Sequence, residues 1–230
     1  MKRLLVKGGE LLLGGCILTS SASWVNAAAT LTLYDGVNPL ITVVDNGPGD
    51  LSAATGVILV QTNVGVWSFT IGTATTKPVL GSATDPAMDL TLQANSTAAG
   101  SLRLVFSDNG FGPATGLLTA TSTGRVVAGA GVTDTYSVYG DPANVVGATT
   151  VLIASTGTVP LPTSGSGSGL LGLGAPFSLT QVEQLVASGP TFLNTDVSFG
   201  VGPVPEPGVM GLGALGLAVL ALGRPRRRQA

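Results

Sequence analysis

The sequence predicts an all-β fold for the middle of the 230-residue chain, an antiparallel β-sandwich of the jelly-roll or immunoglobulin type. First, many segments alternate apolar and polar residues with period two, which is typical of half-buried strands. Second, turn-forming residues separate these segments, and the chain contains 34 Gly and 14 Pro. Third, the spacing leaves no room for the crossover helices that parallel strands require. The predicted domain covers residues 28–203, and two terminal segments of different composition, 1–27 and 204–230, flank it.

The predicted strands are short and are bounded by turn signals such as Asp45-Asn46-Gly47-Pro48-Gly49. In the clearest strand, Met88, Leu90 and Leu92 share one face, and polar residues occupy the other. The full set of strand predictions is 30–34, 38–44, 56–62, 67–71, 88–93, 102–107, 116–121, 133–139, 149–154 and 197–201.

Two further segments are less clear from their pattern. Residues 178–188 fit a helix with a Thr180/Glu183 capping box, or a strand, and the surrounding β pattern favours the strand. The Ser-Gly run at 164–169 fits a flexible linker or a long loop. We predict a loop inside one domain, because residues 170–203 are too few to bury a core of their own.

Charge is concentrated at the two ends of the chain. Residues 30–203 hold ten acidic and three basic residues, so this acidic body carries a charge of −7, whereas the whole chain carries −2. An acidic body repels nucleic acid, so no nucleic-acid partner is predicted. The chain has no His and one Cys, which excludes histidine-based catalysis, a disulfide framework and a zinc–thiolate cluster.

The first 27 residues have the order of a secretory signal peptide. A basic stretch ending at Lys7 precedes the apolar run 11–18, and small residues follow, with a predicted cut after Ala27 or, alternatively, after Ala29. The competing interpretation is a buried N-terminal helix. Cys16 lies in a Leu-Gly-Gly-Cys sequence that resembles a lipoprotein box, but the apolar run continues past it, which favours an unmodified Cys.

The last 27 residues combine three features: an extended motif, an apolar run and a basic end. The motif is Val204, Pro205, Glu206 and Pro207, where the prolines disfavour helix. The run Gly208–Gly223 has 16 uncharged residues, which as a helix would span about 24 Å of the roughly 30 Å hydrocarbon core. The basic end, predicted to stay on the cytoplasmic side, consists of Arg224, Arg226, Arg227 and Arg228.

This tail closely resembles the PEP-CTERM sorting signal of Gram-negative bacteria, through the Pro205-Glu206-Pro207 motif, the apolar run and the arginine cluster. The alternative is an ordinary C-terminal membrane anchor. The resemblance implies recognition and cleavage by an exosortase, a membrane protease, after transient insertion in the inner membrane. It also implies a protein of the cell surface or extracellular space, associated with exopolysaccharide or biofilm.

For the body, the composition favours a structural or adhesive role over chemistry. The alternative is a carbohydrate-binding module, although Trp67 alternates with Phe69 and Ile71 and is therefore predicted to lie in the core. Tyr136 and Tyr139 are predicted to face opposite sides of one strand, so no aromatic platform is evident.

Two further functions are disfavoured by the residue pattern. Asp45 and Asp50 could bind calcium, but Asp and Asn before Gly are typical of turns. No two acids stand out as a glycosidase pair, and Asp89 is predicted to be a solvated acid on a polar strand face. We therefore predict no enzyme activity, no metal site and no cofactor.

Overall fold

The alternating segments form strands in the computed structural model, which describes residues 29–38 and 40–202. Within that part of the chain all regular structure is β. These residues therefore include no helix that could span a membrane. The strands are β1 (Thr30–Tyr34), β2 (Ile41–Val44), β3 (Val57–Val60), β4 (Asn63–Val64), β5 (Trp67–Thr75), β6 (Ala87–Ser96), β7 (Gly100–Phe111), β8 (Ala114–Gly129), β9 (Val132–Asp141), β10 (Val151–Pro160), β11 (Gly165–Leu173), β12 (Phe177–Ala187) and β13 (Thr191–Gly202). The predicted signal peptide, its cleavage site at Ala27, Cys16 and the whole segment 204–230 lie outside the described residues.

The strands make two antiparallel sheets that share one hydrophobic core. Sheet A has the order β10-β9-β12-β7-β1-β2, and sheet B has the order β11-β8-β13-β6-β5-β3, with β4 paired to β5. From β6 to β13 the pairing is nested: β6 pairs with β13, β7 with β12, β8 with β11 and β9 with β10. Successive pairs fall in alternate sheets, which is the jelly-roll pattern. The predicted all-β, antiparallel fold is confirmed.

The period-two alternation places the apolar side chains between the sheets. Met88, Leu90 and Leu92 of β6 are fully buried, as are Leu102 and Phe106 of β7. In β5 the alternation changes phase, because a register shift between Phe69 and Ile71 displaces the second half of the strand. As a result Trp67 and Phe69 are buried in the first half of the strand, and Gly72 and Ala74, the latter opposite Leu90, are buried in the second half.

The segment predicted at 178–188 forms a strand, as favoured, and that strand is β12, Phe177–Ala187. β12 occupies the centre of sheet A between β9 and β7. A helix is excluded because β12 pairs along its length with two neighbours, Leu185 for example lying opposite Asp134 and Leu102.

The loop predicted at 164–169 is wrong. All of this Ser-Gly segment except its first residue lies in β11, the edge strand of sheet B, with Gly167 opposite Ala120 of β8. A Cβ atom at Gly167 would lie 2.0 Å from the carbonyl oxygen of Ser155, and one at Gly169 would lie 1.8 Å from that of Ile153. Ser155 and Ile153 belong to β10, the edge strand of the opposite sheet. Glycine at every second residue therefore allows the two sheet edges to approach closely.

Gly167→Ala is expected to lower the free energy of unfolding by about 1–3 kcal/mol, because the added methyl group meets backbone that cannot move aside on its own. Gly172→Ala, on the same strand, is the matched control, since nothing lies within 4 Å of its Cβ position. Urea unfolding of both variants measures the difference. Equal stability of the two variants would contradict the close approach of β10 and β11.

Candidate functional site

The residues predicted from the terminal signals are not part of the described structure. Ala27, the motif Val204, Pro205, Glu206 and Pro207, and the cluster Arg224, Arg226, Arg227 and Arg228 all lie outside it. Candidate sites within residues 29–38 and 40–202 therefore concern the acidic body.

One end of the sandwich carries a cleft of about 770 Å³, which we name the end cleft. Loops that join strands at this end form its walls, and small side chains predominate among Ala29, Asp45, Thr55, Lys77, Pro78, Gly81, Ser82, Ala83, Thr84, Asp108, Gly110, Gly112, Pro113 and Ala175. This volume falls within the range of typical small-molecule pockets, about 300–1,000 Å³. The end cleft is therefore large enough to hold a ligand the size of a small sugar.

Lys77 and Asp108 form an ion pair in the wall of the end cleft. The Lys77 Nζ atom donates to Asp108 Oδ2 at 2.6 Å and to the Asn109 carbonyl oxygen at 2.6 Å. It also lies 4.1 Å from the centroid of the Phe111 ring, a cation–π contact. The Thr76 hydroxyl donates to the same Asp108 oxygen at 2.9 Å. Because Asp108 is buried, these donors compensate its charge and fix the wall of the cleft.

Asp45 and Asp50 serve as turn acceptors. Asp50 Oδ1 accepts the backbone N–H groups of Ser52 and Leu59, and Asp50 Oδ2 accepts that of Asn46. Asp45 Oδ2 accepts the N–H of Gly56 at 2.8 Å. This use of the carboxylates is the turn chemistry predicted for the segment. Among the described residues, no group of three or more His, Cys, Asp or Glu side chains is placed to hold a metal ion.

A second cluster of polar groups is buried between the sheets, which we name the core acid cluster. It comprises Ser122 of β8, Asp134 and Tyr136 of β9, Gln181 and Glu183 of β12, and Thr195 of β13. The Ser122 hydroxyl donates to Asp134 Oδ2. Seven other polar atoms have no hydrogen-bond partner: Asp134 Oδ1, the Tyr136 hydroxyl, both amide atoms of Gln181, both carboxyl oxygens of Glu183 and the Thr195 hydroxyl.

Burial makes the ionised forms of these acids unfavourable. It raises the pKa of Glu183 well above its usual value, and the charge of Asp134 raises it further. Burial also raises the pKa of Asp134, against the opposing effect of the Ser122 hydrogen bond. The pKa of the Tyr136 hydroxyl is raised by burial and by the neighbouring charge of Glu183. The core acid cluster therefore favours neutral carboxyl groups.

A carboxyl pair, Asp89 and Asp196, lies on the outer face of sheet B. Partial burial and the charge of Asp196 raise the pKa of Asp89 to about 6. Asp89 lies on the polar outer face of its strand, as predicted, and its side chain is partly rather than fully exposed to solvent. Beside Asp196, a shallow groove of about 320 Å³ is lined by residues that include Thr91, Thr123 and Arg125.

The aromatic residues are arranged as the sequence predicts. Trp67 is 1% exposed, and its indole N–H donates to the Ser101 carbonyl oxygen at 3.0 Å, so its core position is confirmed. Tyr136 is buried and Tyr139, on the opposite face of β9, is partly exposed. Trp67 is therefore not available to stack against a sugar.

The sequence did not indicate the end cleft or the core acid cluster. Lys77 and Asp108 are 31 residues apart, and nothing local links them. One signal for the buried acid was present: in 177–187, strand alternation places Glu183 on the same face as Leu179 and Leu185, which are both fully buried.

Comparison with known proteins gives little similarity. No family model matches the chain, and no curated protein matches it. A solved structure from a study of the structural basis for the promiscuous specificity of carbohydrate-binding modules of the β-sandwich superfamily aligns with 74% of this chain and 70% of its own, at 13% identity and a TM-score of 0.28. At that identity and TM-score, the likeness supports no statement about fold or ligand.

Proposed function

We propose that this chain is exported, cut at its tail by an exosortase, and retained at the cell surface or in the extracellular matrix as a structural or adhesive protein associated with exopolysaccharide. The observation that carries the proposal is the tail, in which the Pro205-Glu206-Pro207 motif, an uncharged run and four arginines occur in that order. The acidic body between two basic ends supports the same orientation, because basic flanks remain on the cytoplasmic side.

The motif is tested by replacing both of its prolines, Pro205→Ala and Pro207→Ala, in the full chain within the producing cells. The uncut protein is expected to accumulate in the membrane fraction, because the motif is no longer held in an extended form for the protease. The matched control is the double variant Pro160→Ala and Pro190→Ala in the body, whose tail is expected to be cut normally. Normal release of the tail variant would contradict the proposed role of the motif.

The second candidate function is carbohydrate binding, and the end cleft is the observation that favours it. Its hydroxyl and small side chains, among them Thr55, Ser82 and Thr84, line a volume suited to a sugar ring. The inner aromatic residues are buried, so binding would depend on hydrogen bonds and fit rather than on stacking.

Ala83→Trp is expected to weaken binding of the producer's own exopolysaccharide at least about tenfold, or about 1.4 kcal/mol, because the indole fills the end cleft. Ala99→Trp, at the opposite end of the sandwich, is the control, since both alanines are exposed loop residues. Affinity electrophoresis with the polymer in the gel gives both affinities. An equal affinity of the two variants would place carbohydrate binding, if any is measured, outside the end cleft.

A further inference from the structure

Both described chain ends leave the sandwich at the end that carries the end cleft. Ala29 lines the cleft, and its carbonyl oxygen accepts the N–H of Asp45 at 2.9 Å. At the other terminus, Gly200 of β13 pairs with Ala87, the first residue of β6, and Gly202 continues beyond it. The loop that precedes Ala87 forms a wall of the cleft. The tail therefore begins beside the cleft rather than at the far end.

The connection between the body and the apolar run is short. Five residues, 203–207, separate Gly202 from Gly208. A fully extended chain spans at most about 3.6 Å per residue, so six steps reach about 20 Å. The 12 residues of β13 extend about 40 Å in the opposite direction at about 3.4 Å per residue. The two ends of the sandwich are therefore at very different distances from the start of the apolar run.

We infer that, in the uncut chain, the end cleft faces the membrane across a gap of at most about 20 Å, so that a bulky matrix polymer reaches the cleft only after the tail is cut. This inference rests on the proposed function, because it requires residues 208–223 to anchor the precursor. Cleavage at the motif would then both release the protein and uncover its binding site.

The charge at this end is consistent with a cleft that separates from the membrane after cleavage. The cleft and the loops beside it carry Asp45, Asp50, Asp85 and Asp108 with Lys77 as the opposing cation. An anionic membrane surface repels such an end, so only the covalent tail holds it close. Once the tail is cut, the electrostatic interaction favours departure.

The test uses residues 28–230, the form with an uncut tail that remains after the predicted removal of the signal peptide and that has no cysteine of its own. It is inserted in vesicles of phosphatidylethanolamine and phosphatidylglycerol in two single-cysteine versions. Ala83→Cys marks the end cleft and Ala99→Cys marks the far end, both at exposed positions. Each is labelled with a small maleimide, which reports local access, and with a PEG-maleimide wider than the gap. Relative to the small reagent, the PEG reagent is expected to label the cleft position about tenfold more slowly than the far position.

Lengthening the connection provides the decisive comparison. A flexible Gly-Ser insert of about 30 residues between Pro203 and Val204 adds a root-mean-square reach of about 30 Å, and it is expected to make the two positions equal. Equal labelling in the vesicle-bound chain without the insert would overturn the inference. A chain that fails to float with the vesicles would instead overturn the anchoring step of the proposed function, and the inference would fall with it.

Discussion

Glu183→Gln is expected to raise the free energy of unfolding at neutral pH and to flatten its dependence on pH. Glu183 is fully buried, and neither carboxyl oxygen has a hydrogen-bond partner. An unpaired buried carboxylate is strongly unfavourable, so the folded protein holds the neutral acid. Glutamine is similar in size and cannot ionise, which removes the linkage between folding and proton uptake at this position.

The direction of the pH effect follows from the raised pKa of Glu183. Its carboxyl group binds a proton more tightly in the folded state than in the unfolded state, so its contribution to stability is complete below the unfolded pKa. As pH rises above about 4.3, stability falls by up to about 1.4 kcal/mol per pH unit for each such proton, until the folded pKa is passed. The acidic side of neutrality therefore favours the fold.

The acids around Glu183 reinforce this direction. Burial is the largest cause of its raised pKa, and the charges of Asp134 on β9 and Asp196 on β13 raise it further, whereas the nearby Thr195 hydroxyl on β13 has the opposing effect. The described salt bridge of the body, Lys77 with Asp108, lies at the end cleft and does not contact the core acid cluster. Ionisation of Glu183 would therefore add a negative charge among other acids.

Urea unfolding of the wild-type and variant proteins between pH 5 and pH 9 measures this effect. The wild-type protein is expected to lose stability steadily over that range, and Glu183→Gln to lose it less steeply. Asp85→Asn, at an exposed loop residue, is the control and should follow the wild-type curve. A wild-type stability that rises from pH 5 to pH 9 would contradict the account, whatever the variant does.

Trp67→Ala is expected to destabilise the fold by about 3–5 kcal/mol, the usual cost of removing a buried tryptophan. The indole ring is 1% exposed, and its N–H bond to the Ser101 carbonyl oxygen ties β5 to β7 across the sandwich. Because single domains are stable by only about 5–15 kcal/mol, this loss is a large part of the total.

Thermal unfolding, together with binding of the exopolysaccharide, distinguishes this role from sugar stacking. Trp67→Phe keeps an aromatic core residue and is expected to lose clearly less stability than Trp67→Ala. Binding measured on the fraction that remains folded should be unchanged in both variants. A Trp67→Ala protein that keeps its full stability but no longer binds polysaccharide would show that Trp67 is a binding residue and not a core residue.

The alternation of apolar and polar residues was sufficient to predict the fold class and most strands. Each of those strands buries one face against the core, and this requires an apolar residue at every second position. It predicted β1 to the residue, whereas β2 begins later than predicted, since Asp35 Oδ1 accepts the N–H groups of Val37 and Asn38 in a turn. β11 could not be predicted as a strand by hydrophobicity, because its glycines pack against the backbone of another sheet.

The candidate sites depend on contacts between distant segments, which local patterns do not report. Lys77 meets Asp108 only because the β5–β6 loop and the end of β7 close the same end of the sandwich. Glu183 faces Thr195 because β12 and β13 lie in opposite sheets and a short turn connects them. Side-chain contacts between distant segments depend on the order of the strands in the two sheets. Local sequence patterns do not contain that order.

The mass of the protein released by the producing cells tests the proposed function most directly. We predict a polypeptide that begins at Ala28, with the alternative cut giving Thr30, and that ends within the motif Val204–Pro207, without the apolar run and the arginine cluster. The full-length chain, found uncut in the cytosolic fraction, would contradict export, tail processing and the membrane-facing end cleft together.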